Sequence, residues 1–134
     1  MGSADKKVTG RLPRRKMNIA AQLLNFNRAL ALDRVAGDEE LLREIAQVYL
    51  GEYPEAVEEI RQAVEAGDAE RLHRAAHALK GSLGTLGAEA AQSLALELET
   101  MGRYGRLHGA EQAVRGLWEA LSAFHLELAA LTGS

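Results

Sequence analysis

The sequence contains no cysteine and only two prolines among its 134 residues. Without cysteine there is no disulfide framework, no thiolate nucleophile and no zinc site built on cysteine ligands. No apolar run approaches the roughly 20 residues that a membrane-spanning helix needs. The basic residues near the amino terminus are not followed by the apolar stretch of a secretory signal. The composition therefore fits a cytoplasmic protein that has no membrane segment.

Charge is divided unevenly along the chain. Residues 1–16 carry six basic residues and one acidic residue, a net of +5, whereas residues 17–134 carry 10 basic and 18 acidic residues, a net of −8. An acidic body is a poor ligand for nucleic acid, because affinity there comes mainly from neutralising phosphates. We predict that 1–16 is a flexible basic leader, which a linker or a cloning remnant would also explain, and that 17–134 is one domain.

Apolar residues recur with helical spacing through this body, and no run of alternating β-branched residues predicts a strand. The spacing predicts a short helix over about 18–35 and four long helices over about 39–66, 69–86, 88–103 and 110–131. Asp38 and Asp68 are the predicted N-caps of the first two long helices, and Pro54 should kink or split the first of them. Short connections force neighbouring helices to be antiparallel. We therefore predict an all-α, up-down-up-down four-helix bundle, with the short N-terminal helix covering one end.

Two of the predicted helices carry well-defined apolar stripes. The stripe of the first long helix consists of Leu41, Ile45, Val48 and Tyr49. That of the next long helix and the turn after it consists of Leu72, Ala75, Ala76, Leu79, Leu83, Leu86 and Ala90. At 100° per residue, His77 lies about 150° from the middle of the second stripe. The periodicity thus predicts that His77 faces solvent.

The helical neighbours of His77 form a basic and glycine-rich surface. At three and four residues they are His73, Arg74, Lys80 and Gly81. Gly84 follows one turn later, and we expect it on the same open side. A glycine inside a helix costs about 1 kcal/mol relative to alanine. Two such glycines beside an exposed histidine indicate that another molecule must come close there.

The run His77-Ala78-Leu79-Lys80-Gly81-Ser82-Leu83-Gly84-Thr85-Leu86-Gly87-Ala88 resembles the signature of histidine-containing phosphotransfer domains. In that family a histidine is followed by an apolar residue, then by lysine and glycine, and later by a leucine-glycine pair. The resemblance covers about 28–131, and Thr85 departs from the asparagine that often stands at its position. Further matches are Gly37-Asp38-Glu39-Glu40-Leu41-Leu42, Tyr49, Pro54, Gly67-Asp68, Ala76 and Leu98-Glu99.

This resemblance implies a phosphorelay carrier. His77 would accept a phosphoryl group from a receiver-domain aspartate and pass it to another receiver, and Lys80 would offset the phosphoryl charge. The expected partners are the receiver domains of response regulators and a hybrid sensor histidine kinase, with a monomeric carrier that docks through His73, Arg74, Gly81 and Gly84.

The chain itself shows no nucleotide-binding loop of the Walker type and no metal-binding carboxylate set near His77. We therefore expect no autonomous kinase activity, no metal site and no cofactor of its own, with Mg²⁺ supplied by the receiver domain. His73 and His77 have the i, i+4 spacing of a metal pair, but the HExxH pattern is absent.

Two other functions stay open at this point. One is the N-terminal phosphoacceptor domain of a chemotaxis-type histidine kinase, which is similar in fold and motif but receives its phosphate from ATP through a separate kinase domain. The other is a non-catalytic helical binding module that uses the same face. The intact His77 and Lys80 argue against the second.

Overall fold

The structure, a computed structural model, describes residues 22–133. Every regular element in that range is a helix, which confirms the predicted all-α class for this part of the chain. The helices are α1 (Arg28–Arg34), α2 (Glu39–Ala66), α3 (Ala69–Thr85), α4 (Glu89–Tyr104) and α5 (Ala110–Thr132). None of them is long and apolar enough to cross a membrane. The predicted basic leader, residues 1–16, lies outside the described range.

Side-chain caps begin the first two long helices. Asp38 caps α2 by accepting from the backbone N–H of Leu41 at 3.0 Å, and Asp68 caps α3 by accepting from that of Arg71 at 3.1 Å. Each cap satisfies a backbone donor that has no partner within its helix. Gly67 ends α2 with a φ of +68°, a left-handed conformation that glycine adopts without strain. The predicted boundaries of both helices are therefore confirmed to within one residue.

The short first helix differs from its prediction over 18–35. It begins only at Arg28, because Asn27 caps it and accepts from the backbone N–H of Leu30. The backbone before Arg28 instead forms hydrogen bonds with residues near the start of α4. The Leu24 N–H donates to the Glu89 carboxylate at 3.0 Å, and the Asn27 N–H donates to the Gly87 carbonyl at 2.7 Å. These long-range bonds compete with helix formation. The predicted residues 18–21 lie outside the described range.

Helix α2 continues through Pro54 for 28 residues, so the proline does not split it. Only part of its predicted apolar stripe enters the core. Tyr49 is buried and Ile45 partly buried, but Leu41 and Val48 are 41% and 58% exposed. The apolar surface of α2 is therefore wider than the core of the described protein covers.

The four long helices contact one another in a ring, α2 with α3, α3 with α4, α4 with α5 and α5 with α2, and α1 packs on α2. Connections of two to five residues join them at 67–68, 86–88 and 105–109. The largest fully buried side chains include Phe124 of α5, Leu42 of α2 and Leu72 of α3. Residues from several helices thus share one core, which holds α3 in place along its buried side.

Helices α3 and α4 approach especially closely at Gly102. A Cβ atom at this position would lie 2.5 Å from the backbone nitrogen of His73 and 2.7 Å from the carbonyl oxygen of Ala69. Because both are backbone atoms, no side-chain rotation could relieve the overlap. The missing side chain of Gly102 therefore allows α4 to lie directly against the segment of α3 that carries the histidines.

Candidate functional site

His77 lies near the middle of α3, and its side chain is 66% exposed. The predicted exposure is confirmed. One edge of the ring is nevertheless held by the protein, because Nδ1 lies 2.6 Å from Oε2 of Glu99 on α4. An ionised carboxylate only accepts hydrogen bonds, so Nδ1 carries the proton and donates it. The helix pair thus fixes the ring while leaving most of it accessible to solvent.

Glu99 is the charged residue among the buried side chains of the described protein, at 5% relative exposure. Its Oε1 atom has no hydrogen bond of good geometry, but its charge is offset by the ammonium of Lys80 at 2.6 Å. Lys80 lowers the pKa of the Glu99 carboxyl most strongly, burial opposes it by raising that pKa, and His77 lowers it further. Glu99 is therefore held as a carboxylate between two α3 side chains.

This contact decides which imidazole nitrogen is free to react. With the proton on Nδ1, the neutral ring has its lone pair on Nε2. The hydrogen bond from Nδ1 thus selects one tautomer, a common effect of a carboxylate next to a histidine. The site presents Nε2 with a free lone pair, an accessible nucleophilic nitrogen on the surface of a packed helix.

The other predicted site residues around His77 have different environments. His73 is partly buried, and its Nδ1 donates to the backbone carbonyl of Glu99 at 3.3 Å. Arg74 is exposed and pairs with Glu70 at 2.8 Å, one turn earlier on α3. Gly81 is open, since a Cβ atom there would meet nothing within 4 Å. Arg74 and Gly81 therefore lie on accessible surface, and their role in docking stays a prediction.

Gly84 does not lie on the open side as expected. It is buried, and a Cβ atom at this position would lie 2.5 Å from the amide nitrogen of Gln92 on α4. Its carbonyl oxygen accepts a hydrogen bond from the guanidinium of Arg34 on α1. Gly84 lies at nearly the same angle on α3 as His77 but about two turns further along the helix, where Gln92 of α4 covers it. Helix packing therefore accounts for this glycine.

Glu99 is the residue at this site that reasoning from the sequence did not single out, although the Leu98-Glu99 dipeptide contributed to the family resemblance. The sequence contained one signal, because Glu99 stands four residues after Ala95 and three before Gly102, on the same helical face as these small residues. An acidic side chain inside an apolar helical arc is rarely buried unless it is paired. Its partners could not be named without the relative position of α3 and α4.

No group of three or more metal-ligating side chains occurs within residues 22–133. His73 and His77 stack with their ring centroids 6.3 Å apart, and each Nδ1 is engaged by Glu99. Each of the two rings therefore has its hydrogen-bond partner on α4.

The comparison with protein families agrees with this site. The family model described as Hpt domain matches residues 44–133, which include α3, α4, α5 and most of α2. The chain therefore belongs to the family of Hpt domains, the histidine phosphotransfer domains of two-component signalling. Hpt domains are phosphocarriers rather than catalysts, and they interact with receiver domains. Searches of curated proteins and of solved structures found no significant match.

Proposed function

We propose that this protein is a phosphorelay carrier in which Nε2 of His77 accepts a phosphoryl group from the aspartyl phosphate of one receiver domain and passes it to another. The observation that carries the proposal is the hydrogen bond of 2.6 Å between Nδ1 of His77 and the buried Glu99 carboxylate. It leaves the opposite nitrogen of an exposed ring unprotonated and directed away from α4.

The transfer is a displacement at phosphorus. The Nε2 lone pair forms the new P–N bond while the P–O bond to the aspartate breaks, and the aspartate leaves as a carboxylate. Nε2 carries no proton in this tautomer, so no base has to remove one. The positioned nucleophile supplies orientation, which accounts for much of the rate of such reactions.

Glu99 also makes the transfer reversible. After transfer the ring carries a phosphoryl group on Nε2 and the original proton on Nδ1, so the ring itself is cationic. The Glu99 carboxylate stabilises that cation through the same hydrogen bond. Retention of the proton keeps the ring a good leaving group, because it departs as a neutral imidazole. A phosphohistidine of this kind can pass its phosphoryl group onward.

Lys80 can pair with two anions, the Glu99 carboxylate and, after transfer, the phosphoryl group on His77. In the unphosphorylated protein its ammonium pairs with Glu99 and is only 27% exposed. We propose that a phosphoryl group on Nε2 draws this ammonium partly away from Glu99, so that Lys80 offsets its charge. The lysine would then stabilise the carboxylate before transfer and the phosphoryl group after it.

The receiver domain supplies the remaining groups that the transfer needs. We propose that the receiver domain brings its aspartate and the Mg²⁺ ion, that the carrier has no kinase activity of its own, and that it acts as a monomer in the cytoplasm. The short connections between the long helices support an up-down-up-down order, which leaves the His77 surface of α3 free along one side of the bundle.

The experiment offers the protein two phosphate sources. A phosphorylated receiver domain is mixed with the chain in one reaction, and ATP with a histidine kinase domain in the other. We expect acid-labile, base-stable label to reach the chain from the receiver. His77→Gln should abolish labelling and leave the thermal melt close to that of the wild type, since the side chain lies off the core.

The two arms distinguish the alternatives. Label that arrives only from ATP through the kinase would favour the chemotaxis-type phosphoacceptor. Equal labelling of wild type and His77→Gln would exclude His77 as the acceptor and point to His73. Absence of label from every source would leave the protein a binding module.

A further inference from the structure

We propose that a second surface of the protein, remote from His77, binds an acidic peptide segment of a partner protein that carries one apolar anchor residue. The surface lies where the α4–α5 connection meets the groove between α2 and α5. Its central residues are Arg106, Leu107, Arg115 and Trp118, and we call it the arginine–tryptophan surface. The inference goes beyond the proposed phosphorelay function and does not depend on the chemistry of His77.

Three arginines around the α4–α5 connection have no anionic partner within residues 22–133. The other seven arginines and lysines of that range each form an ion pair or donate to a backbone carbonyl. The three are Arg103, Arg106 and Arg115, and all are exposed. Glu111 and Glu119 have the helical spacing of an ion pair with Arg115, yet neither pairs with it in the described structure. These guanidinium groups are therefore available to an anion from another molecule.

Two adjoining depressions lie beside these arginines. One has a volume of about 290 Å³, and its lining includes Val64, Val114 and Trp118. The other has a volume of about 470 Å³ and extends to Leu107, and both include Arg115. Trp118 is 45% exposed although α5 packs in the bundle. Tryptophan and arginine are enriched at interface hot spots, and an anchor residue binds in an apolar concavity, so this combination indicates an interaction surface.

The carboxylates at these depressions are offset within the protein. Glu65 pairs with Arg61 at 3.6 Å. Glu111 lies in the first turn of α5, where the helix dipole stabilises an acid. From 103 to 118 the sequence carries three arginines and one acidic residue, a net of +2, whereas the body from residue 17 has a net of −8. The surface is thus a locally basic region on an acidic protein.

Charge and shape favour a peptide over other anionic ligands. Proteins that bind nucleic acid with useful affinity neutralise about 6–10 phosphates, which three arginines on an acidic body do not supply. A lipid surface contributes only about 1 kcal/mol for each basic residue and would repel the same body. A second copy would bring the same arginines against these. An acidic peptide can place carboxylates on Arg106 and Arg115 and one apolar side chain against Trp118.

The arginine–tryptophan surface leaves His77 accessible. Helices α2 and α4 each contact both α3 and α5, so the groove between α2 and α5 lies across the core from the contact between α3 and α4. Glu99 holds His77 at that second contact. A partner bound through its acidic segment would therefore raise the effective concentration of any domain linked to it without covering the histidine.

The test uses the single tryptophan of the chain, whose fluorescence reports on this surface directly. A library of short acidic peptides, each with one leucine or phenylalanine and a fluorescein label, is screened against the full chain, and the tightest binder is titrated. Arg106→Glu with Arg115→Glu reverses both charges of the surface. The matched control is Arg28→Glu with Arg43→Glu, which changes the net charge equally at two exposed sites on α1 and α2.

We expect the peptide to change the emission of Trp118 and to bind more weakly as salt rises. Arg106→Glu with Arg115→Glu should raise Kd at least about tenfold, as for arginines at an interface hot spot. The control pair should keep Kd close to that of the wild type, and Trp118→Ala should weaken binding measured by fluorescein anisotropy. With ¹⁵N-labelled histidines, the resonances of His77 should not shift when the peptide binds. Thermal melts would verify that each variant is folded.

Several results would overturn the proposal. Failure of every acidic peptide to bind would do so, as would equal weakening by the surface variant and its control, which would indicate a general effect of net charge. Tighter binding of RNA or of vesicles that contain phosphatidylserine, lost in Arg106→Glu with Arg115→Glu, would assign the surface to a nucleic acid or a membrane. Dimers that Trp118→Ala dissociates would assign it to a second copy. The labelling of His77 tests the proposed phosphorelay function separately, so either proposal can fail without the other.

Discussion

The two sides of α3 are built differently, although each carries a glycine. On the side toward α4, His77 and Lys80 contact the Glu99 carboxylate, and Gly84 lies against Gln92. On the side toward α2, Gly81 meets no neighbouring atom, and Ser82 lines an open groove. One side thus holds the imidazole in a single orientation, and the other leaves space for a partner. The proposed role of His77 as a phosphate acceptor requires both conditions on the same helix.

On the side of α3 that faces α4, removal of the Glu99 carboxylate should have the largest effect. Glu99→Ala should slow transfer to His77 about 10- to 100-fold, by analogy with the loss of the hydrogen-bond partner of a metal-ligating histidine. Glu99→Gln keeps an acceptor for Nδ1 and should fall between Glu99→Ala and wild type. Stopped-flow transfer kinetics, together with ¹⁵N spectra of the imidazole tautomer, would check both variants.

The two readouts must change together if Glu99 acts through the ring. The tautomer protonated at Nε2 should become detectable in Glu99→Ala and remain minor in wild type. Slower transfer with an unchanged tautomer population would indicate that Glu99 serves only the fold.

The close packing of α3 against α4 at Gly102 should be the structural feature most sensitive to substitution. Gly102→Ala would place Cβ against the backbone of His73 and should lower the free energy of unfolding by about 1–3 kcal/mol, the usual cost of overpacking. Gly51→Ala is the matched control, since Gly51 is also helical and a Cβ there would meet nothing within 4 Å. Chemical denaturation of both variants gives the comparison, and equal stabilities would contradict the packing described for Gly102.

A pair of glycine variants measures the contrast between the two sides directly. Gly81→Ala should raise the free energy of unfolding by about 1 kcal/mol, because alanine favours helix and the site is open. Gly84→Ala should give less, since its Cβ would displace the Gln92 amide and offset that gain. Thermal melts of the two variants would measure this difference in stability. Equal gains in stability would mean that the Gln92 side chain moves aside without cost.

Acid should produce the smallest of these effects. The pKa of Glu99 is lowered in the folded protein from a reference of 4.5, so the unfolded chain binds its proton first as the pH falls. The contribution of Glu99 to stability is therefore full above about pH 4.5 and is lost as the pH drops through the folded pKa. Denaturation at pH 7 and at lower pH should show the difference between wild type and Glu99→Gln shrinking under acid. A difference that stays constant would argue against the carboxylate form.

Local sequence patterns predicted the long helices and the exposure of His77 well. Asp38 and Asp68 lie at the starts of their helices because capping depends on residues within one turn. The angle between His77 and the apolar stripe is likewise a property of a single helix. Such features follow from helical geometry alone, so the sequence contains the information that they require.

Features that depend on how helices meet were predicted poorly or not at all. The burial of Gly84 and the contact between His77 and Glu99 both require the rotation and shift of α4 relative to α3. The predicted start of α1 was wrong because Leu24 and Asn27 form hydrogen bonds with Glu89, more than sixty positions away in the sequence. Val48 was assigned to a core stripe because it is apolar and lies at helical spacing from Leu41 and Ile45. Such spacing does not reveal whether another helix covers the residue.

The most direct test of the account is the position of the phosphoryl group on the phosphorylated protein. The chain, labelled with ¹⁵N in its histidines, would be phosphorylated by a receiver domain and studied by NMR under conditions that preserve phosphohistidine. We predict a single phosphorylated residue, His77, with phosphorus bonded to Nε2 and a proton retained on Nδ1. Phosphorus bonded to Nδ1 of His77, or to either nitrogen of His73, would contradict it.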